Sequence, residues 1–170
     1  MKKYGSLILP VTIIFTIFLN LPANSQNAIV IVGGEVEKPL QLDAGTIKKM
    51  NHVKVTSISH SDHKTHIYSG IPLSDIIRES GAIPGNQLRG KYLAKYVLIK
   101  GADGYQAVIA LPEIDTAFTD EVIILADEED GKALSPDVGP FQIVVPGDKR
   151  PARSVWHVVS ITILTAKLDN

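Results

Sequence analysis

The 170-residue chain contains no cysteine. That absence excludes a disulfide scaffold, a lipid-anchored cysteine, a thiol nucleophile and a thiolate metal site. Tryptophan occurs once, as Trp156, and aromatic residues make up only 6% of the chain. There is no Gly-rich phosphate loop, no Ser-His-Asp spacing and no nucleophile elbow. Repeats, low-complexity runs and linker-like stretches are also missing. Neither sign of charge dominates, with 17 basic and 18 acidic residues. Lys2 and Lys3 are the only charges before residue 26, so 15 basic and 18 acidic residues remain beyond it, a net charge of −3. A mildly acidic body with only local basic clusters argues against a nucleic-acid or membrane-surface partner.

The one long apolar run is Leu7 to Leu19, interrupted by Pro10, Thr12 and Thr16. It follows the Lys2-Lys3 pair and precedes Asn20, Pro22 and the small-residue pattern Ala23-Asn24-Ser25. This order predicts a cleavable signal peptide over residues 1–25, with an uncleaved N-terminal anchor as the alternative; the run is short for a membrane span of about 20 residues. The lysine pair is not a twin arginine, so the expected route is Sec-type export. The remaining 145 residues, 26–170 of the 170, are then one periplasmic or secreted domain with no membrane insertion after cleavage. A domain of that length without disulfides relies on its hydrophobic core.

Strand-like segments dominate the mature part. They are Ala28 to Val32, Val36 to Leu42 with Pro39 suggesting an edge, and Val53 to Ser57 in alternation. Tyr96 to Ile99, Tyr105 to Leu111, Val122 to Ala126, Phe141 to Val145 and Val155 to Leu164 follow, rich in the Val and Ile that suit a pleated surface. Helices are few and short. Pro72 to Ser80 has Leu73, Ile76 and Ile77 on one face and Gly81 as a stop. A second helix is expected from Asp43 or Thr46 to Met50, and a further turn from Pro112. The fold class is therefore α+β: a strand-rich, mixed β domain with a few short helices, not an alternating βαβ layout.

Four segments carry chemistry. His60, His63 and His66 recur at three-residue spacing in His60-Ser61-Asp62-His63-Lys64-Thr65-His66 and read either as imidazole metal ligands or as a solvated polar loop. Lys100-Gly101-Ala102-Asp103-Gly104-Tyr105 reads as a hairpin turn, or as a pocket mouth bearing Asp103 and Tyr105. Lys149, Arg150 and Arg153 crowd a loop stiffened by Pro146 and Pro151, and read either as ordinary surface charge or as a clamp for an anionic group. Trp156 is either a core-edge aromatic on the last strand or a platform for a flat heterocycle. Glu113 follows Pro112 in a first turn, where it complements the helix dipole.

The order of these segments resembles a known family. Tyr68-Ser69-Gly70-Ile71-Pro72-Leu73-Ser74-Asp75-Ile76-Ile77 is similar to the W/Y-x-G-V-P-L-x-D-L-L element of the sulfite-oxidase-type molybdopterin-binding domain, and Gly81 falls where that family has A-G. Gly101-Ala102-Asp103-Gly104-Tyr105, with Glu113 downstream, resembles its G-x-D-G-Y … E segment. Leu125-Ala126, Asp130-Gly131-Lys132-Ala133-Leu134 and Gly139-Pro140-Phe141-Gln142-Ile143-Val144-Val145-Pro146-Gly147 resemble L-A … D-G-x-P-L … G-P-x-R-L-V-V-P-G. The resemblance implies a sulfite-oxidase-like fold over about Val36 to Leu164.

Enzymes of that family hold molybdenum through one cysteine thiolate, and the corresponding position here falls near Ser57 or Ile58. The chain is most similar to small exported, cysteine-free members that bind a reduced pterin and report it to a membrane-bound enzyme of cyclic di-GMP signalling. The resemblance implies non-catalytic binding of a pterin or molybdopterin-like ligand without molybdenum, and no metal. Asp103, Glu113 or Asp148 would accept the pterin amino group and ring N–H as a bidentate pair. Tyr105 or Trp156 would stack on the ring. Lys149, Arg150 or Arg153 would meet its carbonyl, hydroxyls or a phosphate, and His60 and His63 would close the pocket near the former metal position. Two alternatives stay open: a molybdopterin-dependent oxidoreductase, and a metal-binding or protein-interaction module on the same fold.

Overall fold

The computed structural model describes residues 28–59, 61–83 and 88–167. The expected signal peptide, 1–25, and His60 lie outside the described residues. In chain order the strands are β1 Ile29–Gly34, β2 Leu40–Asp43, β3 Val53–Ile58, β4 Thr65–Pro72, β5 Lys95–Gly101, β6 Gln106–Ala110, β7 Ile124–Glu129, β8 Lys132–Ala133, β9 Gln142–Val144 and β10 Val158–Thr165. Two helices are present among the described residues, α1 Ala44–Ile47 and α2 Leu73–Glu79, with single 3-10 turns at Gly90–Ala94, Leu111–Glu113 and Pro151–Arg153. The strand-rich α+β reading is thereby met.

The first sheet runs β2-β1-β10-β5-β6, antiparallel throughout except for the parallel β1/β10 pair. The second runs β3-β4-β7-β8, with β9 also pairing β7. Alternation sets which face is buried: Val30 and Val32 of β1 are fully buried, while Ile29 and Ile31 point outward. The second sheet is covered on both faces. Leu125 of β7 joins the main core with Leu73, Ile76 and Ile77 of α2. Its neighbours Ile124 and Ala126 point the other way into a smaller cluster with Tyr68, Leu134, Val138 and Val144, against which Trp156 packs.

Local chemistry explains the helix ends. Asp43 accepts a hydrogen bond from the Thr46 N–H at 2.6 Å and caps α1, which stops at Ile47 rather than reaching Met50. In α2, Leu73, Ile76 and Ile77 are buried on one face as expected. Pro72 is a correction of one residue: its ψ of 128° makes it the end of β4 and the cap of α2, not the first helical residue. Gly81, at φ +71°, ends the helix in the left-handed region.

Other boundaries moved for tertiary reasons. The Val36 to Leu42 segment forms a strand only from Leu40, after Pro39. Strand β7 runs past Ala126 through Asp127, Glu128 and Glu129, because pairing with β4 and β8 overrides their low strand preference. Strand β10 begins at Val158, since His157 at φ +47° cannot continue a strand, so Trp156 precedes the last strand rather than lying on it. Strand β4 carries a weak sequence signal because its first half, Thr65 to Ile67, is largely exposed and includes an outward isoleucine; burial begins at Tyr68 and is broken only at the partly exposed Ser69. Gly70 in that strand has no alternative: a Cβ there would lie 2.2 Å from the Leu125 carbonyl oxygen.

Candidate functional site: a pocket at the end of the fifth strand

The turn between β5 and β6 is the expected Asp-Gly hairpin. The Gly101 N–H donates to the Tyr105 carbonyl at 2.9 Å, and Gly104 takes φ +89°. Asp103 Oδ1 accepts the Tyr105 N–H at 2.9 Å. The Tyr105 hydroxyl donates to the Ala152 carbonyl at 2.6 Å, tying this turn to the Pro151–Arg153 turn. Between the two turns opens a pocket of about 240 Å³ lined by Asp103, Tyr105, Pro151, Ala152, Ser154 and Trp156. Three residues singled out from sequence, Asp103, Tyr105 and Trp156, thus meet in one cavity. Trp156 reaches it from the smaller core cluster, so one part of the ring is packed and another faces the pocket.

Three other sequence candidates form a closed set beside the pocket. Arg153 binds Asp148 through two bonds, Nε to Oδ2 at 2.9 Å and Nη2 to Oδ1 at 2.7 Å. Its Nη1 donates to Glu113 Oε1 at 2.8 Å. The Asp148 hydrogen bonds, then Glu113, raise the Arg153 pKa against the opposing effect of burial, so the guanidinium is firmly cationic. Glu113 Oε2 also accepts the Ala110 N–H at 2.8 Å, which makes Glu113 a turn cap as well as an ion-pair partner. Lys149 and Arg150 are exposed, with no ion-pair partner within 4.0 Å among the described residues. Of the three carboxylates considered for a bidentate role, Glu113 and Asp148 are therefore occupied by Arg153. Asp103 is the one that lines the pocket.

His157 was not singled out from sequence. Its Nδ1 meets the Gly139 carbonyl and its Nε2 meets the Asp137 carbonyl at 2.8 Å. Its N–H donates to Val138, and its carbonyl accepts the Ala102 N–H at 2.9 Å. One residue thus joins the 134–139 loop, Trp156 and the Asp103 turn. A lone histidine beside a tryptophan carries no sequence signal for such bridging.

The histidine segment sits elsewhere. His63 lies exposed at φ +58° in the β3–β4 turn and is not among the residues that line this pocket. His66 lies between Asp130, at 2.7 Å from Nδ1, and Asp62, at 3.2 Å from Nε2. The Asp130 bond first, then Asp62 and Glu129, hold its pKa above the ordinary value of 6.5 despite some burial. The Tyr68 hydroxyl donates to Glu129 at 2.9 Å, and burial is the main reason its pKa is pushed up to about 12. His52, also unforeseen, places Nδ1 on the Met50 carbonyl and Nε2 on Asp127 at 3.2 Å. Burial opposes its charged form, yet these partners raise its pKa. Among the described residues no group of three or more histidine or carboxylate side chains is arranged to hold a metal ion.

The family description "Oxidoreductase molybdopterin binding domain" matches residues 19–170. No curated protein matches the chain significantly. Among solved structures, sulfane dehydrogenase SoxCD from Paracoccus pantotrophus superposes with a TM-score of 0.64 at 20% identity. That match covers 80% of this chain and 38% of the other, so this chain spans well under half of the enzyme subunit it resembles. At the position expected for a metal-holding thiolate, Ser57 is a buried serine in β3 and Ile58 an outward aliphatic chain. Neither is the soft donor that holds the metal in sulfite-oxidase-type sites, so these residues do not fit thiolate-bound molybdenum.

Proposed function

We propose that this chain, which belongs to the oxidoreductase molybdopterin binding domain family, binds a pterin-type small molecule without catalysing its conversion. The observation that carries the reading is the pocket beside the β5–β6 turn, where one carboxylate, Asp103, stands with the aromatic rings of Tyr105 and Trp156. A pterin edge presents an amino group and a ring N–H side by side, which a carboxylate accepts as a pair. The rings supply stacking worth about 0.5–1.5 kcal/mol beyond area burial. Lys149 and Arg150, on the loop leading into the pocket, supply positive charge for an oxygen-rich side chain or phosphate. Arg153, already matched by two carboxylates, fixes that loop instead of meeting the ligand.

The missing thiolate favours a ligand free of molybdenum. The Leu7 to Leu19 run behind Lys2-Lys3 favours export to the periplasm or medium. In that compartment the proposed role is to report the pterin to a membrane-bound enzyme of cyclic di-GMP signalling.

The test is mass spectrometry with elemental analysis on protein purified from the exported fraction, followed by titration with a reduced pterin. A released pterin without molybdenum is expected. Near-stoichiometric molybdenum would overturn the reading in favour of a molybdopterin-dependent oxidoreductase. An empty protein that ignores added pterins would move it to a protein-interaction or metal-binding module.

A further inference from the structure

A second cavity, of about 290 Å³, lies at the opposite end of β5 and is lined by Glu35, Lys91, Tyr92, Lys95, Thr165 and Lys167. Lys95 begins β5 and Gly101 ends it, which separates the two cavities by about 20 Å at a strand rise of ~3.3 Å per residue. Three ammonium groups converge on this mouth. Lys95 is 8% exposed and donates to the carbonyls of Ala82 at 3.1 Å and Glu35 at 3.2 Å. Lys91 and Lys95 flank one ring, their Nζ atoms 5.4 and 5.6 Å from the Tyr92 centroid. Among the described residues a single carboxylate lines the cavity with them: Glu35 accepts from the Thr165 hydroxyl at 2.6 Å and lies 3.7 Å from Lys95. Lys91 and Lys167 have no ion-pair partner within 4.0 Å among the described residues. Among the described residues the cavity lining therefore holds three cations and one anion, in a chain whose body is otherwise mildly acidic.

We propose that this Lys91–Lys95–Lys167 cavity is a binding site for a multiply charged oxyanion of the phosphate or pyrophosphate class, separate from the pterin pocket. Ammonium groups bind phosphate oxygens as point charges without demanding a planar fork. The concave mouth concentrates their field on a bound anion, and the like charges gathered there repel one another until an anion screens them. Lys95, fixed by two carbonyls, forms the floor; Lys91 and Lys167 are the cations that meet the anion at the mouth. The Thr165 hydroxyl and the Tyr92 ring fix the sides. This site goes beyond the pterin reading and does not depend on it.

The experiment is isothermal titration of the full exported chain with inorganic pyrophosphate and with phosphate at low ionic strength, alongside flotation with phosphatidylglycerol vesicles. The parent is compared with a Lys91→Gln/Lys167→Gln double variant, which leaves the structural Lys95 in place. Saturable, salt-sensitive, one-site binding that weakens tenfold or more in the double variant is the expected result. Pyrophosphate binding without vesicle binding identifies a free anion; vesicle binding lost in the double variant identifies a lipid phosphate head group. Absence of both, or a double variant that binds as tightly as the parent while its circular dichroism is unchanged, would overturn the proposal.

Discussion

Two basic clusters on this chain are opposite in kind. Around Arg153 the charge is matched: Asp148 from the same loop and Glu113 from a turn 40 residues earlier take every strong bond the guanidinium offers toward that side. Around Lys95 the charge among the described residues is in excess, with three lysines sharing one carboxylate already engaged by Thr165. Along the sequence the ranking looks reversed, because Lys149, Arg150 and Arg153 are crowded together while Lys91, Lys95 and Lys167 are scattered. Free positive potential depends on which carboxylates fold back onto a cation, and that is settled by strands meeting far apart in the chain.

The comparison can be broken or sharpened by substitution. The largest effect is expected at a site shared by both regions. Leu73→Ala, in the fully buried face of α2, should cost about 2–5 kcal/mol in a denaturant titration and weaken both cavities together. Arg153→Ala should cost less, roughly 1–2 kcal/mol, because it leaves Glu113 and Asp148 adjacent without their cation in a partly solvated setting. Lys91→Gln should change stability by no more than about 0.5 kcal/mol, as fits a surface cation with no ion-pair partner among the described residues and one contact with an aromatic ring. If Arg153→Ala and Lys91→Gln prove equally silent, the contrast between a structural and a free cluster is lost.

Asp103→Asn separates ligand recognition from folding. One carboxylate bond pair is worth about tenfold or more in affinity, close to 1.4 kcal/mol, so reduced-pterin binding should weaken by that factor with no shift in the denaturation midpoint. Unchanged affinity would place the pterin elsewhere. Trp156→Ala should weaken the same titration, and its packing against the smaller core cluster adds a stability loss that Asp103→Asn lacks.

The smallest expected effect is a pH dependence at the β3–β4 turn. Asp62, Glu129 and Asp130 face His66 and raise its pKa above 6.5. A group with a raised folded pKa contributes stability that is complete below the unfolded value and is lost as pH rises through the folded one. Asp62 and Asp130 are lowered from 3.8, chiefly by backbone N–H bonds from Lys64 and Ile67 and then by His66, so their contribution disappears as pH falls below that value. The His66→Ala variant should therefore be less stable than the parent near about pH 5.5 and converge with it near about pH 8.5 in matched urea titrations. A constant difference across that range would assign His66 a packing role alone.

Much of the architecture was legible beforehand. A short apolar run marks β1, alternation marks β3, Val- and Ile-rich runs mark β5 and β6, the Leu73/Ile76/Ile77 stripe with Gly81 marks α2, and the Asp103-Gly104 pair marks the hairpin that shapes the pocket. Strand β4 was missed because burial along it starts only at Tyr68, and β7 was cut short because its second half is acidic. Of the candidate residues, Asp103, Tyr105 and Trp156 line one cavity, whereas Glu113 and Arg153 meet in an ion pair and His63 lies apart. His157, which joins three segments around the pocket, had nothing in its neighbours to mark it.

By itself the amino-acid sequence determined the strand-rich character of the domain, the place of its clearest helix, the hairpin at Asp103-Gly104 and the lack of any soft thiolate donor. These follow from local preferences, periodicity and residue chemistry, which need no knowledge of distant partners. Only the tertiary structure decided which carboxylate lines the pocket, which arginine is spent on its own fold, and that Lys91, Lys95 and Lys167 share one mouth. Those outcomes arise because sheet pairing carries residues from remote parts of the chain to within a few ångströms, where hydrogen bonding and Coulomb interaction first become strong enough to choose between them.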